Sequence, residues 1–408
     1  LLIAVLALAA TFGTTSFDSL LGPTGVSTLS GGAAFAIGLL LLLGTMGKSA
    51  QVPLHVWLPD AMEGPTTVSA LIHAATMVNA GVFLLLRMYP LISLPSLGGA
   101  LSSLVVSVGL LSALVGGASA LASDDIKRVL AYSTISQLGL MFAAIGFGSI
   151  DAAAYHMISQ GLFKALAFLA AGSVVTALGT REIDKMGGLA RALKFTYIGF
   201  LVSVLAMSGV PPLVGFWSKD AILQLAFLYS PVASLTVIGV FALTVLYSFR
   251  VLLRVFHGHS KLNAPLKEAP PSMLAPIGVL AVAVLTAWGV LQSQTLLSFA
   301  SFWTPEVLPV ATSLAVLGSS ALLAYALCLR FRPQMLLAMQ RSPPLLALSR
   351  LLSNGFYFDR VYGAAARVIF LPLARGVARI QTDLLRANAL LALATVAIIF
   401  VLFASGIL

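Results

Sequence analysis

The chain has 408 residues, and its composition excludes a soluble globular protein. Hydrophobic residues make up 59% of the sequence and charged residues 9%, whereas a soluble domain carries about 25% charged residues. The formal net charge is +10, but the basic residues cluster in alternate loops, which indicates a membrane protein rather than a nucleic-acid-binding one. The single cysteine, Cys328, excludes a disulfide framework or a cysteine metal site within this sequence, so no redox chemistry is expected in the chain itself.

The apolar runs, taken in chain order, predict an all-α polytopic membrane protein with about eleven transmembrane helices, since about 20 apolar residues are needed for each crossing. The runs are Leu1 to Ala10, Ala33 to Leu58, Val68 to Tyr89, Leu101 to Leu121, Val129 to Phe147, Ala152 to Leu178, Phe195 to Leu228, Val232 to Phe256, Met273 to Val290, Val307 to Leu329 and Ala389 to Phe403. Gly and Pro interrupt the second and seventh runs, which predicts two discontinuous helices. Because the first residue is Leu and no signal peptide precedes it, we expect the sequence to start inside a longer protein.

The charges of the connecting loops alternate from one side of the predicted bundle to the other. One set of loops holds Lys127 and Arg128, then Arg181, Lys185, Arg191 and Lys194, then Arg254, Lys261 and Lys267, then Arg330, Arg332, Arg341 and Arg350. The opposite loops hold almost no basic residue. The positive-inside rule therefore predicts basic loops in the cytoplasm, with the chain integral to an energy-transducing membrane such as a bacterial or archaeal plasma membrane.

The region before the last crossing has a different pattern. Arginines recur at Arg360, Arg367, Arg375, Arg379 and Arg386, and they fall on one side of a helix whose other side is apolar. Such a segment is typical of an amphipathic helix that lies along a membrane face. A cytoplasmic linker is the alternative interpretation.

Lysine and histidine side chains stand within the apolar runs, where insertion of a lysine costs about 2.5 to 3.5 kcal/mol. The candidates for a functional role are Lys48, His73, His156, Lys164 and Lys219. A lysine or histidine in a wet, apolar-walled cavity can exchange protons near neutral pH. The set therefore predicts a proton relay on successive helices.

Two of these lysines lie beside the predicted helix breaks, and the two broken segments resemble each other. Pro53 to Ala61 reads PLHVWLPDA and Pro212 to Ala221 reads PLVGFWSKDA. Paired Gly- and Pro-interrupted segments in two halves of a chain indicate an internally repeated transporter. Lys48 precedes the first segment, and Lys219 belongs to the second.

Most of these residues also have a structural interpretation. Lys48 could extend its amine to the membrane interface, and His73 and His156 could be neutral core histidines bonded to carbonyls. Lys219 and Asp220 could form an ion pair at a helix end.

Lys127 lies in another charged cluster, which predicts a solvated helix start. Lys127 and Arg128 follow Asp124 and Asp125, and Ser123 is the expected cap.

Several long motifs identify a family. Gly47 to Thr66 reads GKSAQVPLHVWLPDAMEGPT, and the match continues through Ser69 to Val78; further motifs are Asp125 to Gln137, Phe163 to Leu166 and Gly215 to Asp220. Together they resemble the large antiporter-like membrane subunits of respiratory complex I. The wider family includes Mrp-type sodium/proton antiporters and the membrane partner of a bicarbonate-uptake system. The tail from Asn354 to Tyr362 is similar to the lateral helix of the complex I subunits, which favours that branch.

The resemblance implies an inverted-repeat antiporter-like fold and a role in redox-driven proton translocation. Lys48, Lys164 and Lys219 would be the central proton-channel lysines, supported by His73, Lys127, His156 and Asp220. This chain would hold no cofactor and no metal, while partner membrane subunits, contacted through the lateral helix, would belong to an assembly that contains flavin, iron–sulfur clusters and quinone. An Mrp-type antiporter subunit and a bicarbonate-uptake subunit remain the alternatives.

The resemblance also implies a division of the chain. Residues 1–90 would form the C-terminal part of a first repeat and 91–260 a second repeat, followed by two additional helices at 261–330, the lateral helix at 331–387 and the final anchor at 388–408.

The sequence departs from the family pattern in two places. Roughly five upstream helices of the family, with a glutamate that partners the first lysine, have no counterpart here, and Gln160 stands where the family often has histidine. Proton transfer at Gln160 would then depend on water or on His156.

Overall fold

A computed structural model describes residues 1–22, 25–74, 76–258, 266–292, 306–330, 342–380 and 385–404. Within these ranges the regular secondary structure is helical. Among the described residues, seven helices are long and apolar enough to cross a membrane, and the shorter apolar helices are Leu2–Phe12, Lys194–Ser208, Pro271–Ala287 and Asn388–Phe400. The prediction of an all-α polytopic membrane protein with about eleven crossings is therefore confirmed.

The main helices follow one another in chain order. They are α1 (Leu2–Phe12), α2 (Gly31–Lys48), α3 (Thr66–Ala74), α4 (Asn79–Arg87), α5 (Ala100–Ala122), α6 (Ile126–Gly146), α7 (Ile150–Leu178), α8 (Lys194–Ser208), α9 (Val214–Tyr229), α10 (Pro231–Leu252), α11 (Pro271–Gln292), α12 (Val307–Tyr325), α13 (Pro343–Ser353), α14 (Phe358–Ile380) and α15 (Leu385–Ala404). The described residues fall into two compact units, Leu1–Phe356 and Tyr357–Leu408.

Helix α6 is the centre of the first unit and is buried along its length. It packs closely on α5 through facing glycines: a Cβ atom added to Gly139 would lie 2.5 Å from the carbonyl oxygen of Gly109. Small residues allow such backbone-to-backbone approach in membrane proteins. The other side of α6 faces α7, which carries Lys164.

Both predicted discontinuities are present. Helix α2 ends at Lys48, and non-helical backbone follows before a short helix at Trp57–Asp60. Helix α8 ends at Ser208, and α9 begins only at Val214. In both places the proline that the sequence analysis singled out interrupts the helical hydrogen-bond pattern.

In the second unit, α14 is amphipathic. Its large apolar side chains, among them Val368, Ile369 and Phe370, are exposed. Arg360 lies over the ring of Tyr357, with 4.5 Å between the guanidinium carbon and the ring centroid. The position of this helix along a membrane face stays a prediction, as does the division of the chain into repeats. Residues 331–341, where the lateral segment was expected to begin, lie outside the described residues.

Candidate functional site: buried amines beside broken helices

Lys164 lies at the middle of α7 and is completely buried. Its amine donates to the hydroxyl of Ser133 and, at 3.4 Å, to the carbonyl oxygen of Leu130, both on α6. These hydrogen-bond acceptors are neutral. The apolar sequence on either side predicts the position of Lys164 within the helix, and the structure adds its hydroxyl and carbonyl partners.

Lys219 lies in the second turn of α9, and 3% of it is exposed. Its amine donates to the carbonyl oxygen of Met207. Because Met207 belongs to the last turn of α8, the helix break itself supplies this acceptor. The amine also lies 5.2 Å from the centroid of the Phe241 ring, within the range of a cation–π contact.

His156 connects α7 to the broken helix. Its Nδ1 lies 2.9 Å from the hydroxyl oxygen of Ser218, the residue before Lys219. Its Nε2 has no hydrogen-bond partner among the described residues, so the predicted core histidine bonded to a carbonyl is not observed. The structure therefore brings His156 and Lys219 together through Ser218.

Asp220 is completely buried and accepts a hydrogen bond of 3.0 Å from the hydroxyl of Ser313 on α12. Lys219, by contrast, bonds to α8. The two neighbouring side chains thus bond to different helices, as the 100° rotation between successive residues of a helix allows. This arrangement differs from a simple ion pair at a helix end.

His73 lies at a third helix break, where the sequence predicts one continuous helix from Val68 to Tyr89. The structure ends α3 at Ala74 and begins α4 at Asn79, with residue 75 outside the described residues. The His73 ring is fully buried, with its centroid 5.0 Å from that of Phe168. Both of its nitrogens lack a hydrogen-bond partner within the described part of the chain.

Three side chains satisfy carbonyl groups at this third break. The hydroxyl of Thr76 donates to Leu71 at 2.7 Å, and the amide of Asn79 donates to Ala74 at 2.8 Å. The hydroxyl of Ser49 donates to Val78 at 2.7 Å. Because Ser49 follows Lys48, the first break is bonded directly to the third. Polar residues within an apolar run, Thr76 and Asn79, were the sequence signal for this break.

Lys48 requires a correction. The apolar runs predict an interior position for Lys48, but its side chain is exposed at the last residue of α2. The described helices that pack on α2 do not cover the side chain of Lys48. Lys48 therefore does not join the buried groups around Lys164 in the described chain, and its role as a relay residue stays a prediction.

Lys127 also departs from expectation. Asp125, not Ser123, caps α6, because its carboxylate accepts from the backbone amides of Lys127 and Arg128 at 2.8 and 3.2 Å. The amine of Lys127 is not solvated. The residue is 4% exposed, and it donates to the carbonyl oxygen of Gly64 at 2.6 Å. Lys127 therefore ties the start of α6 to the loop before α3.

An ion-pair network surrounds this end of α6. Arg181 pairs with Glu63 at 3.0 Å and with Asp125 at 3.2 Å, and Arg250 pairs with Asp124 at 2.5 Å. A hydrogen bond from Arg181 and its charge lower the pKa of the Glu63 carboxyl, and the same hydrogen bond raises the pKa of Arg181. The predicted basic loops of α6, α7 and α10 therefore meet at one face of the bundle.

Several buried polar atoms near Lys164 have no protein partner within the described residues. They include both nitrogens of His73, Nε2 of His156 and both amide atoms of Gln160. Buried polar groups are normally hydrogen-bonded to protein or to internal water. Atoms of this kind can bind internal water.

The site offers little to a metal ion. Among the described residues, no group of three His, Cys, Asp or Glu side chains could hold one. What the arrangement can do chemically is accept, hold and release protons at amine and imidazole nitrogens.

Comparison with known proteins gives a family. Residues 1–246 match the family described as "NADH:quinone oxidoreductase/Mrp antiporter, TM". The subunit 5 of chloroplast NAD(P)H-quinone oxidoreductase from Gossypium barbadense is 48% identical over 230 residues, which cover 54% of this chain and 30% of that protein. The corresponding protein of Piper cenocladum is 47% identical over 234 residues, covering 55% of this chain and 31% of the relative. The chain thus matches less than a third of the length of these curated relatives.

A solved structure of the Mrp complex from Dietzia sp. DQ12-45-1b matches the whole fold. The TM-score is 0.74 with 28% sequence identity, and the match covers 100% of this chain and 44% of that chain. The predicted antiporter-like membrane fold is therefore confirmed. With more than half of its residues matched by the family model, the chain belongs to the NADH:quinone oxidoreductase/Mrp antiporter transmembrane family.

Proposed function

We propose that this chain moves protons across the membrane as a subunit of a complex I-like oxidoreductase. The observation that carries the proposal is the amine of Lys164, fully buried at mid-span and bonded to a hydroxyl and a carbonyl oxygen. Burial of a lysine at this depth is expensive. An amine that must gain and lose a proton during turnover supplies a reason for keeping it there.

The neighbouring groups support a relay. Charges on Lys164 and Lys219 repel each other when both amines are protonated. Protonation of one lysine therefore favours proton release from the other. His156, bonded to Ser218, lies in the field of both lysines and offers a second proton-binding atom between them. Movement of a proton onto Lys219 would in this way help to discharge Lys164.

The assembly around the chain belongs to the same proposal. Two relatives are named as subunits of NAD(P)H-quinone oxidoreductase, and a subunit of that kind would work beside partner subunits that carry flavin, iron–sulfur clusters and quinone. Electron transfer there would drive proton movement here, which makes the chain part of a redox-driven translocase. We place its basic loops on the cytoplasmic side of an energy-transducing membrane.

A second candidate function is that of an Mrp-type antiporter subunit. The structural match to the Mrp complex, which covers the whole chain, favours it. The two functions differ in their driving force. A redox subunit moves protons when quinone is reduced, whereas an antiporter exchanges protons for sodium without electron transfer. The Lys164 relay would serve either one.

The test is the substitution Lys164→Met in the assembled complex, reconstituted into liposomes with a fluorescent pH probe. We expect normal assembly and loss of most quinone-dependent proton uptake. Lys164→Arg should also impair pumping, because arginine does not release its proton in the physiological range. Lys194→Met, at an exposed lysine of the basic face, is the matched control and should pump normally. Full pumping by assembled Lys164→Met would refute the relay. Sodium-dependent proton exchange without quinone would favour the antiporter function.

A further inference from the structure

A polar cluster between α6 and α10 lies beside Lys164 but outside the predicted row of lysines and histidines. We call Ser133, Gln137, Thr244 and Tyr247 the α6–α10 cluster. All four residues are completely buried. Lys164 bonds into this cluster, since its amine donates to Ser133. The amine thus points toward α6.

Tyr247 is the largest fully buried side chain of the described chain. Its hydroxyl faces the side chains of Ser133, Gln137 and Thr244, yet it has no direct hydrogen-bond partner of good geometry among the described residues. Gln137 donates to Thr244 at 3.3 Å, while its own carbonyl oxygen also lacks a partner. An unsatisfied buried hydroxyl carries a free-energy cost. A water bonded to Tyr247 and its neighbours would remove this cost.

The cluster extends along α6 and α10 toward the basic face. Leu130, the carbonyl partner of Lys164, lies five residues after the cap Asp125, or about 7.5 Å along the helix axis. Tyr247 precedes Arg250 by three residues, or about 4.5 Å. Arg250 pairs with Asp124 at that face. A path from Lys164 through Tyr247 would therefore reach the ion-pair network.

We infer that the α6–α10 cluster is a proton branch between Lys164 and the basic face, with the hydroxyl of Tyr247 as its central member. The inference rests on the proposed proton-translocating function. In the transfer, the O–H bond of Tyr247 breaks as a bridging water takes that proton and passes one of its own to the neutral Lys164 amine, where a new N–H bond forms. The oxygen of Tyr247 takes a proton from the water on the side of the basic face, so that tyrosine ends neutral.

The experiment replaces Tyr247 by Phe, which keeps the ring and removes the hydroxyl. In the reconstituted complex we expect normal assembly, a several-fold slower proton uptake and a larger solvent deuterium isotope effect on that uptake. A purely structural role would leave the isotope effect unchanged. The matched control is Tyr229→Phe, because the hydroxyl of Tyr229 lies at the opposite face, 3.4 Å from the hydroxyl oxygen of Ser103. It should behave like the unmodified protein.

Ser133→Ala provides a second, independent variant. If both side chains belong to one path, the double variant should be no slower than the slower single variant; fully multiplied losses would overturn the inference. If Lys164→Met stops pumping while Tyr247→Phe and Ser133→Ala pump with an unchanged isotope effect, the branch is wrong and the relay stands. If assembled Lys164→Met pumps normally, the proposed function is refuted, and the inference that rests on it is refuted as well.

Discussion

The substitution Gly139→Ala tests whether close packing of α6 holds the buried site in place. The added Cβ would lie 2.5 Å from the carbonyl oxygen of Gly109 and 2.7 Å from the backbone nitrogen of Ala113, both on α5. Because non-bonded heavy atoms prefer about 3.5 Å, the two helices must separate by about 1 Å. Backbone atoms cannot rotate away as a side chain can. We expect a loss of about 1–3 kcal/mol of stability, the usual range for overpacking.

The measurement compares thermal unfolding of the purified complex in detergent with proton uptake in liposomes. Displacement of α6 toward α7 disturbs the bonds from Lys164 to Ser133 and Leu130, so pumping should fall together with the melting temperature. The control is Gly239→Ala, because a Cβ at Gly239 meets no atom within 4 Å; it should be neutral or slightly stabilising. Equal melting temperatures for the two variants would refute the packing argument.

Two further substitutions test the site and its surroundings. Ser218→Ala removes the hydroxyl bonded to His156, and we expect slower proton uptake with intact assembly; a rate equal to that of the unmodified complex would exclude Ser218 from the relay. The lowered pKa of Glu63 beside Arg181 stabilises the fold above the unfolded pKa of about 4.3, and this stabilisation disappears as pH falls through the lower folded value. In Glu63→Gln the melting temperature should therefore fall less steeply with decreasing pH in the acidic range than in the unmodified protein. An identical pH dependence in the two proteins would contradict the role of the ion pair.

Much of the bundle could be predicted because a membrane span has a simple sequence signature. The run from Ala152 to Leu178 became α7 with almost the same ends. Pro53 and Pro212 correctly marked the first two breaks, because proline cannot donate the missing backbone hydrogen bond. The depth of Lys164 followed from the apolar residues on both sides of it. These features depend on local sequence alone.

The remaining features depend on contacts between distant segments. The break after His73 is stabilised in part by Ser49, 29 residues from its acceptor Val78, and a scan of apolar runs does not register such a bond. Lys48 was expected inside, but the described helices leave its side chain exposed. Asp125 and Ser123 are both residue types that cap helices, and only the geometry of the turn shows that Asp125 caps α6.

Lys164 and Lys219 have the same kind of hydrogen-bond partner. Each amine donates to a backbone carbonyl, of Leu130 or of Met207. A buried carboxylate would bind an ammonium more strongly, but it would remain as an uncompensated charge once the amine lost its proton, which is very unfavourable in a membrane interior. A carbonyl is a dipole without net charge, so the neutral amine leaves no unpaired ion behind. Carbonyl and hydroxyl partners are therefore the arrangement that physical chemistry favours for an amine that changes charge within a membrane.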